Sequence, residues 1–182
     1  MPNKVLAIKS DRDIPGVYRG TPIELLLRYQ NLGVPHESFK QAQILVGMCI
    51  DYRKQLNLPE NFAYIIRTAG ANLRRNEFKV SFAVAIGGVS TIALIGHTQC
   101  GMVGVTSKKE AFVEGLVDRA GWDRDEAEAH FLKNAPLHEI VNETDFVVSE
   151  AKRLRLIYPK ILIAPLIYKV EDGLLYLVQE NG

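Results

Sequence analysis

Residues 44–50 read ILVGMCI, a nearly continuous apolar run and the strongest structural signal in the chain. A short apolar run without alternation is typical of a β-strand that is covered on both faces, as in a parallel sheet. Similar runs occur at residues 63–66, 92–95 and 161–168. Together they predict a mostly parallel sheet of about four strands.

Helical patterns lie before, between and after these runs. They predict helices at residues 24–29, 77–86, 123–133 and 142–157. The helix at 77–86 is expected to end at the pair Gly87-Gly88, because glycine favours the left-handed cap of a helix. The first predicted helix belongs to an N-terminal helical extension, residues 1–42, that precedes the sheet.

The end of the chain carries a hairpin signal. Asp172-Gly173 is a favoured turn pair and indicates that the last strand runs antiparallel to its neighbour. Alternating strands and helices predict an α/β fold with three layers: a mostly parallel sheet plus an antiparallel C-terminal strand, with helices on both faces.

Length and composition limit the classes of function. With 182 residues, a single domain spanning 1–182 is expected. A formal net charge of +1 provides no field to recruit nucleic acid or an anionic membrane surface, so a small-molecule partner is favoured. The N-terminus shows no signal-peptide pattern and no apolar stretch is long enough to span a bilayer, which predicts a cytoplasmic protein.

The candidate site lies at the ends of two predicted strands. Cys49 and Asp51 follow the first strand, and His97 and Cys100 follow the third; the chain has only two cysteines, and both are in this set. In open α/β sheets, ligands bind beyond the carboxyl ends of the strands, where the strand order reverses. Two thiolates and one imidazole form a ligand set that zinc prefers, and three protein ligands leave a position for a reactive water.

Other interpretations of these residues stay open. The cysteines can pack as small buried hydrophobes, or Cys49 and Cys100 can form a disulfide, which would leave His97 unexplained. His97 can also be a buried histidine with satisfied hydrogen bonds. The remaining histidines lack such neighbours and are expected at the surface or in packing roles; they are His36, His130 and His138.

Asp51 and Arg53 are separated by one residue, Tyr52, so in an extended segment their side chains point to the same side. An ion pair is expected. At an exposed surface such a pair contributes little to stability, but beside a metal ligand it can hold a carboxylate ionised and oriented.

These motifs resemble the zinc site of the beta-class carbonic anhydrases. The resemblance rests on CIDYR at 49–53 and GHTQCG at 96–101, and it is supported by IRTAG at 66–70 and YKVEDGL at 168–174. It extends from about Gln43 to the C-terminus.

The resemblance implies a zinc lyase that reversibly hydrates carbon dioxide to bicarbonate and a proton through a zinc-bound hydroxide. Zn²⁺ would be held by Cys49, His97 and Cys100, with Asp51 and Arg53 as a catalytic pair. Asp51 is also a possible fourth zinc ligand that closes the site. A homodimer, or an assembly of dimers, is implied as well.

Two positions depart from the family pattern. Tyr52 stands where a small residue is usual, and its phenol either points away from the metal or narrows the pocket; Thr68 replaces the usual asparagine. The alternatives are hydrolysis of carbon disulfide or carbonyl sulfide by the same fold, a non-catalytic zinc-binding module that responds to bicarbonate or redox state, and a zinc-free protein that keeps the pattern.

Overall fold

The fold was analysed in a computed structural model that describes residues 3–180. Its centre is a six-stranded sheet with the order β1-β6-β5-β4-β2-β3. The strands are β1 (Lys4–Ala7), β2 (Ile44–Cys49), β3 (Ala63–Thr68), β4 (Thr91–His97), β5 (Leu162–Tyr168) and β6 (Leu175–Gln179). The four central strands, β2 to β5, pair in parallel. Strand β6 pairs antiparallel with β5, and β1 pairs antiparallel with β6. The predicted mostly parallel sheet with an antiparallel C-terminal strand is confirmed.

Five α-helices accompany the sheet in the described residues. They are α1 (Pro22–Leu27), α2 (Glu77–Ala85), α3 (Lys109–Ala120), α4 (Arg124–His138) and α5 (Glu143–Ile157). Side chains that precede three of them accept hydrogen bonds from the first turn: Thr21 for α1, Asp123 for α4 and Asn142 for α5. Such caps satisfy backbone N–H groups that have no partner inside the helix.

Helices cover both faces of the sheet, as predicted. In β2 the side chains alternate, so that Ile44, Val46 and Met48 join a buried cluster with α1. Leu45 faces the opposite way and joins a second cluster with α2 and α5. Because both faces are buried, the strand sequence is apolar at almost every position.

Three parts of the fold differ from the sequence-based expectation. The N-terminal region contains α1, but it begins with strand β1 on the antiparallel edge of the sheet. Helix α3 was not predicted, and α4 continues past Lys133 to His138, through Pro136. Helices α3 and α4 pack on each other, with Phe112 against Phe131 at a ring-centroid distance of 5.0 Å.

The sheet order places the candidate site. From β2 the chain proceeds to β3 on one side of it and then to β4 on the other, so β2 and β4 are parallel neighbours at the point where the strand order reverses. Their carboxyl ends, Cys49 and His97, therefore lie at the same edge. Within residues 3–180, no helix combines the length and the hydrophobicity needed to cross a bilayer.

Candidate metal centre

Cys49, His97 and Cys100 come together at this edge. Their ligand atoms, two sulfurs and one imidazole nitrogen, all lie within 4.8 Å of one another, and all three residues are buried. Both cysteines are free, so the disulfide interpretation is wrong for this structure. The backbone N–H of Gly70 donates to the Cys49 sulfur at 3.3 Å, which orients one of the ligands.

The histidine presents an unpaired nitrogen to this group. His97 is fully buried, and its Nδ1 lies 2.9 Å from the carbonyl oxygen of Thr98. A carbonyl can only accept, so Nδ1 carries the hydrogen and Nε2 has a free lone pair. Nε2 is buried without a hydrogen-bond partner among residues 3–180. A buried histidine with a role in packing alone would not leave this atom unpaired, whereas a metal ligand oriented through its other nitrogen would.

The thiols of Cys49 and Cys100 interact with each other. A hydrogen bond from the Cys100 thiol lowers the pKa of Cys49. The same contact raises the pKa of Cys100, because deprotonation would place a second negative charge beside the first. A metal bound to both sulfurs would displace any proton that they hold.

Asp51 lies beside this group and is bound by Arg53, as the spacing predicted. One carboxylate oxygen of Asp51 accepts from Arg53 Nε at 3.0 Å and from its backbone N–H at 2.9 Å, and the other accepts from a terminal guanidinium nitrogen at 2.8 Å. These bonds hold the pKa of Asp51 well below its usual range. The carboxylate is therefore ionised and fixed in direction.

The turn between His97, at the end of β4, and Cys100 holds Arg53 in place. Gln99 has a left-handed backbone with φ of 57°, unusual for a residue other than glycine. It accepts from Arg53 through both its side-chain and backbone oxygens, at 3.1 and 3.0 Å. Glu171, in the hairpin between β5 and β6, accepts from Gln99 and Thr98 at 2.9 and 2.8 Å. The bonds compensate for the backbone strain and link Asp51 to the hairpin.

Further polar groups fix the backbone of the two cysteines. Glu143, the first residue of α5, accepts from the Cys100 N–H at 3.1 Å. The Cys49 carbonyl accepts from Lys54 Nζ at 3.2 Å and from Arg67 at 3.1 Å. Lys54 is almost fully buried, and this burial lowers its pKa to about 8.

The remaining residues singled out in the sequence are not part of this group of ligand atoms. Tyr52 is 88% exposed, so in a single chain its phenol points into solvent. His36 packs on Tyr29, and His130 packs on Phe112 and Trp122, as expected for packing histidines. Thr68 and His138 each have a buried side-chain atom with no partner in the described part of the chain, and both residues line a cavity described below.

Several solved structures share this architecture. The carbonic anhydrase of Streptococcus mutans aligns with a TM-score of 0.60 and 22% identity, covering 91% of this chain and all of that one. The beta-carbonic anhydrase isoform I of Trichomonas vaginalis aligns with a TM-score of 0.64 and 18% identity, covering 93% of this chain and 100% of that chain. This chain has the beta-carbonic anhydrase fold.

A carbon disulfide hydrolase shares the beta-carbonic anhydrase fold too, with a TM-score of 0.53 and 20% identity over 84% of each chain. No protein-family model matches the sequence, and no curated protein matches it. At these identities the likeness establishes the fold, so the chemistry must be argued from this chain's own residues. The buried donor set of two sulfurs and one unpaired imidazole nitrogen fits zinc, whose structural and catalytic sites use these ligands.

Proposed function

We propose that this protein is a zinc-dependent enzyme that reversibly hydrates carbon dioxide to bicarbonate and a proton. The proposal depends chiefly on one observation: a buried group of Cys49, His97 and Cys100 with an ionised Asp51 beside it, on the beta-carbonic anhydrase fold. A zinc ion held by the three side chains would lower the pKa of a bound water to about 7 and supply hydroxide near neutral pH.

In this proposal Asp51 acts as a hydrogen-bond acceptor. Its carboxylate would accept the hydrogen of the hydroxide that zinc would supply, and would so direct the oxygen lone pair toward carbon dioxide. Arg53 keeps Asp51 ionised and prevents it from rotating, and Gln99 holds Arg53 from the other side. Asp51 can also serve as a fourth ligand that closes the site, but that requires it to leave Arg53 and give up three hydrogen bonds.

The first test is metal content and turnover of the purified protein. We expect close to one zinc per chain, and hydration of carbon dioxide in a stopped-flow indicator assay. His97→Asn should lose zinc, whereas His36→Asn, which alters a histidine that packs on Tyr29, should retain it. Zinc-free wild-type protein, or equal zinc content in the two variants, would contradict the proposed ligand set.

The same protein must be assayed with carbon disulfide and carbonyl sulfide, because a carbon disulfide hydrolase has this fold. Sulfide release at a higher kcat/KM than hydration would replace carbon dioxide as the proposed substrate. Zinc binding without turnover of any of the three would instead indicate a non-catalytic zinc module.

We further propose that the protein works as a homodimer in the cytoplasm. Strand β3 ends the sheet, and its outer edge pairs with no described strand. Apolar side chains are exposed there and on the adjoining helix α2, at Tyr64, Ile65, Phe78, Phe82 and Ile86. An edge strand with exposed apolar neighbours is a template for pairing with another chain, and a second copy would cover it. A reducing compartment would keep both thiols available for metal.

A further inference from the structure

A cavity lies next to the candidate metal centre and shares a wall with it. Its volume is about 450 Å³, and it lies between the end of α4 and the starts of α2 and α5. None of Cys49, His97 and Cys100 lines it. Ile140 and Phe146 line the cavity and also pack against the two cysteines. Small-molecule sites are typically about 300–1,000 Å³, so the cavity is large enough for a ligand.

Two buried polar atoms belong to residues that line this cavity. Thr68 Oγ1 and His138 Nδ1 have no hydrogen-bond partner among residues 3–180. A buried polar group left unpaired costs about 1–3 kcal/mol, so unpaired groups are rare unless they have a ligand or a water. Burial, together with the charge of Arg75, lowers the pKa of His138, so its imidazole is neutral at neutral pH. A neutral imidazole still has one N–H to donate.

The arginines around the cavity differ in whether they have an acidic partner. Arg75 lines it and forms no ion pair or side-chain hydrogen bond with any residue in the described range. Arg74 lies 3.5 Å from Glu150, but that carboxylate is already bound by Arg153 at 2.7 Å. The helix α2 begins here too, and the side chain of the preceding Asn76 does not cap it. The start of a helix with open N–H groups favours a negative charge.

The acidic side chains that line the cavity already accept hydrogen bonds. Glu139 accepts from the Thr106 N–H, and Asp145 accepts from the side chain of Asn142 at 2.6 Å. The groups that have no partner among residues 3–180 are a guanidinium, a hydroxyl and an imidazole, and each of them can donate a hydrogen bond. Their natural counterpart is an acceptor-rich anion.

The other walls are apolar. Leu137, Val141 and Phe146 line the cavity, and Leu137 and Val141 are exposed. We propose that this cavity binds a small organic carboxylate, whose head group accepts from Arg75, Thr68 and His138 and whose short apolar body packs on Leu137 and Val141. The inference does not depend on the proposed reaction, because none of the proposed metal ligands takes part.

Benzoate, benzamide and inorganic phosphate are suitable probes. By isothermal titration calorimetry of the zinc-containing protein, we expect benzoate to bind and benzamide, with the same ring but a neutral head, to bind at least tenfold more weakly. Arg75→Met should also weaken benzoate at least tenfold, about 1.4 kcal/mol. Arg119→Met, which alters another exposed arginine that is not in the lining, should leave the affinity unchanged.

Nuclear magnetic resonance shifts would locate the binding, since carboxylates also bind zinc. Shifts at Asn76, Leu137 and Val141 support the proposal, and shifts confined to residues 97–101 overturn it. A wild-type affinity for benzoate in both Arg75→Met and Thr68→Val would also overturn the proposal. Thr68→Val is nearly isosteric and removes only the hydroxyl donor. Tighter binding of phosphate than of benzoate would overturn the assignment to carboxylates.

Discussion

Among single residues, Asp51 tests the proposed reaction most directly, because in that reaction it would contact the nucleophile and is not one of the three proposed metal ligands. Asp51→Asn keeps the shape of the side chain but removes the charge and one acceptor oxygen that Arg53 engages. We expect kcat/KM for hydration to fall about 100-fold or more, while zinc content stays at the wild-type level. Stopped-flow assays and metal analysis measure the two quantities, and a variant as fast as wild type would exclude the role.

The pH dependence of the hydration rate tests whether the ionisation of Asp51 controls that rate. The pKa of Asp51 is lowered by its hydrogen bonds to Arg53, so Asp51 is ionised at every pH at which the enzyme is assayed. Its ionisation therefore cannot produce a change in rate near neutral pH. We expect hydration to increase from pH 6 to 9 as hydroxide becomes available, in wild type and, at a lower rate, in Asp51→Asn. Loss of the pH dependence in the variant would mean that Asp51 itself titrates.

The residues that define the site could be predicted from the sequence because they lie at fixed offsets from two apolar runs. Cys49 and His97 end strands whose alignment follows from the fold class, and Asp51 and Arg53 are neighbours along the chain. Gln99, Glu143 and Glu171 could not be assigned their roles in this way. They are ordinary polar residues, and Glu143 and Glu171 reach the site from α5 and the last hairpin, so only the fold reveals what they bind.

At the level of elements, the contact between β4 and α5 positions His97 and Cys100, two of the proposed metal ligands. A Cβ atom at Gly96, one residue before His97, would lie 2.7 Å from a methyl group of Val147 and 3.4 Å from the Glu143 carbonyl oxygen. Gly96→Ala must therefore displace the start of α5. We expect a loss of about 1–3 kcal/mol in the free energy of unfolding, measured by chemical denaturation.

Gly101→Ala is the matched control for this contact. Gly101 lies in the turn that follows β4, and a Cβ atom there would have no neighbour within 4 Å. Its unfolding free energy should stay close to that of wild type. Equal stability of Gly96→Ala and Gly101→Ala would show that α5 does not pack as closely on β4 as the structure indicates.

The elements that the sequence did not predict share a physical property. Helix α3 buries only Val113, so its sequence lacks an apolar stripe wide enough to indicate a helix. Strand β1 has four residues and no buried side chain, and it is held in the sheet by its hydrogen bonds to β6. Both depend on contacts with another element, α4 for α3 and β6 for β1. By contrast, β2 and β4 are buried at every position, and their apolar sequences show this directly.

At the level of the whole molecule, the exposed apolar surface on β3 and α2 predicts self-association. Phe78 is 83% exposed and Ile65, on the edge strand, is 50% exposed. Burying such groups against a second copy removes apolar surface from water, which stabilises an assembly by about 25 cal/mol per Å². We expect light scattering to give twice the mass of the 20.4 kDa chain.

A charge at this edge should separate the two copies. Ile65→Glu places a carboxylate where the strands would meet, and unpaired burial of that charge is strongly unfavourable, so the variant should be monomeric. Leu156→Glu is the control, because Leu156 is 86% exposed on α5 and is not one of the exposed apolar residues of β3 and α2 that form the proposed contact. It should remain dimeric. A monomeric wild type, or a dimer that tolerates Ile65→Glu as well as Leu156→Glu, would show that this edge is not where two copies join.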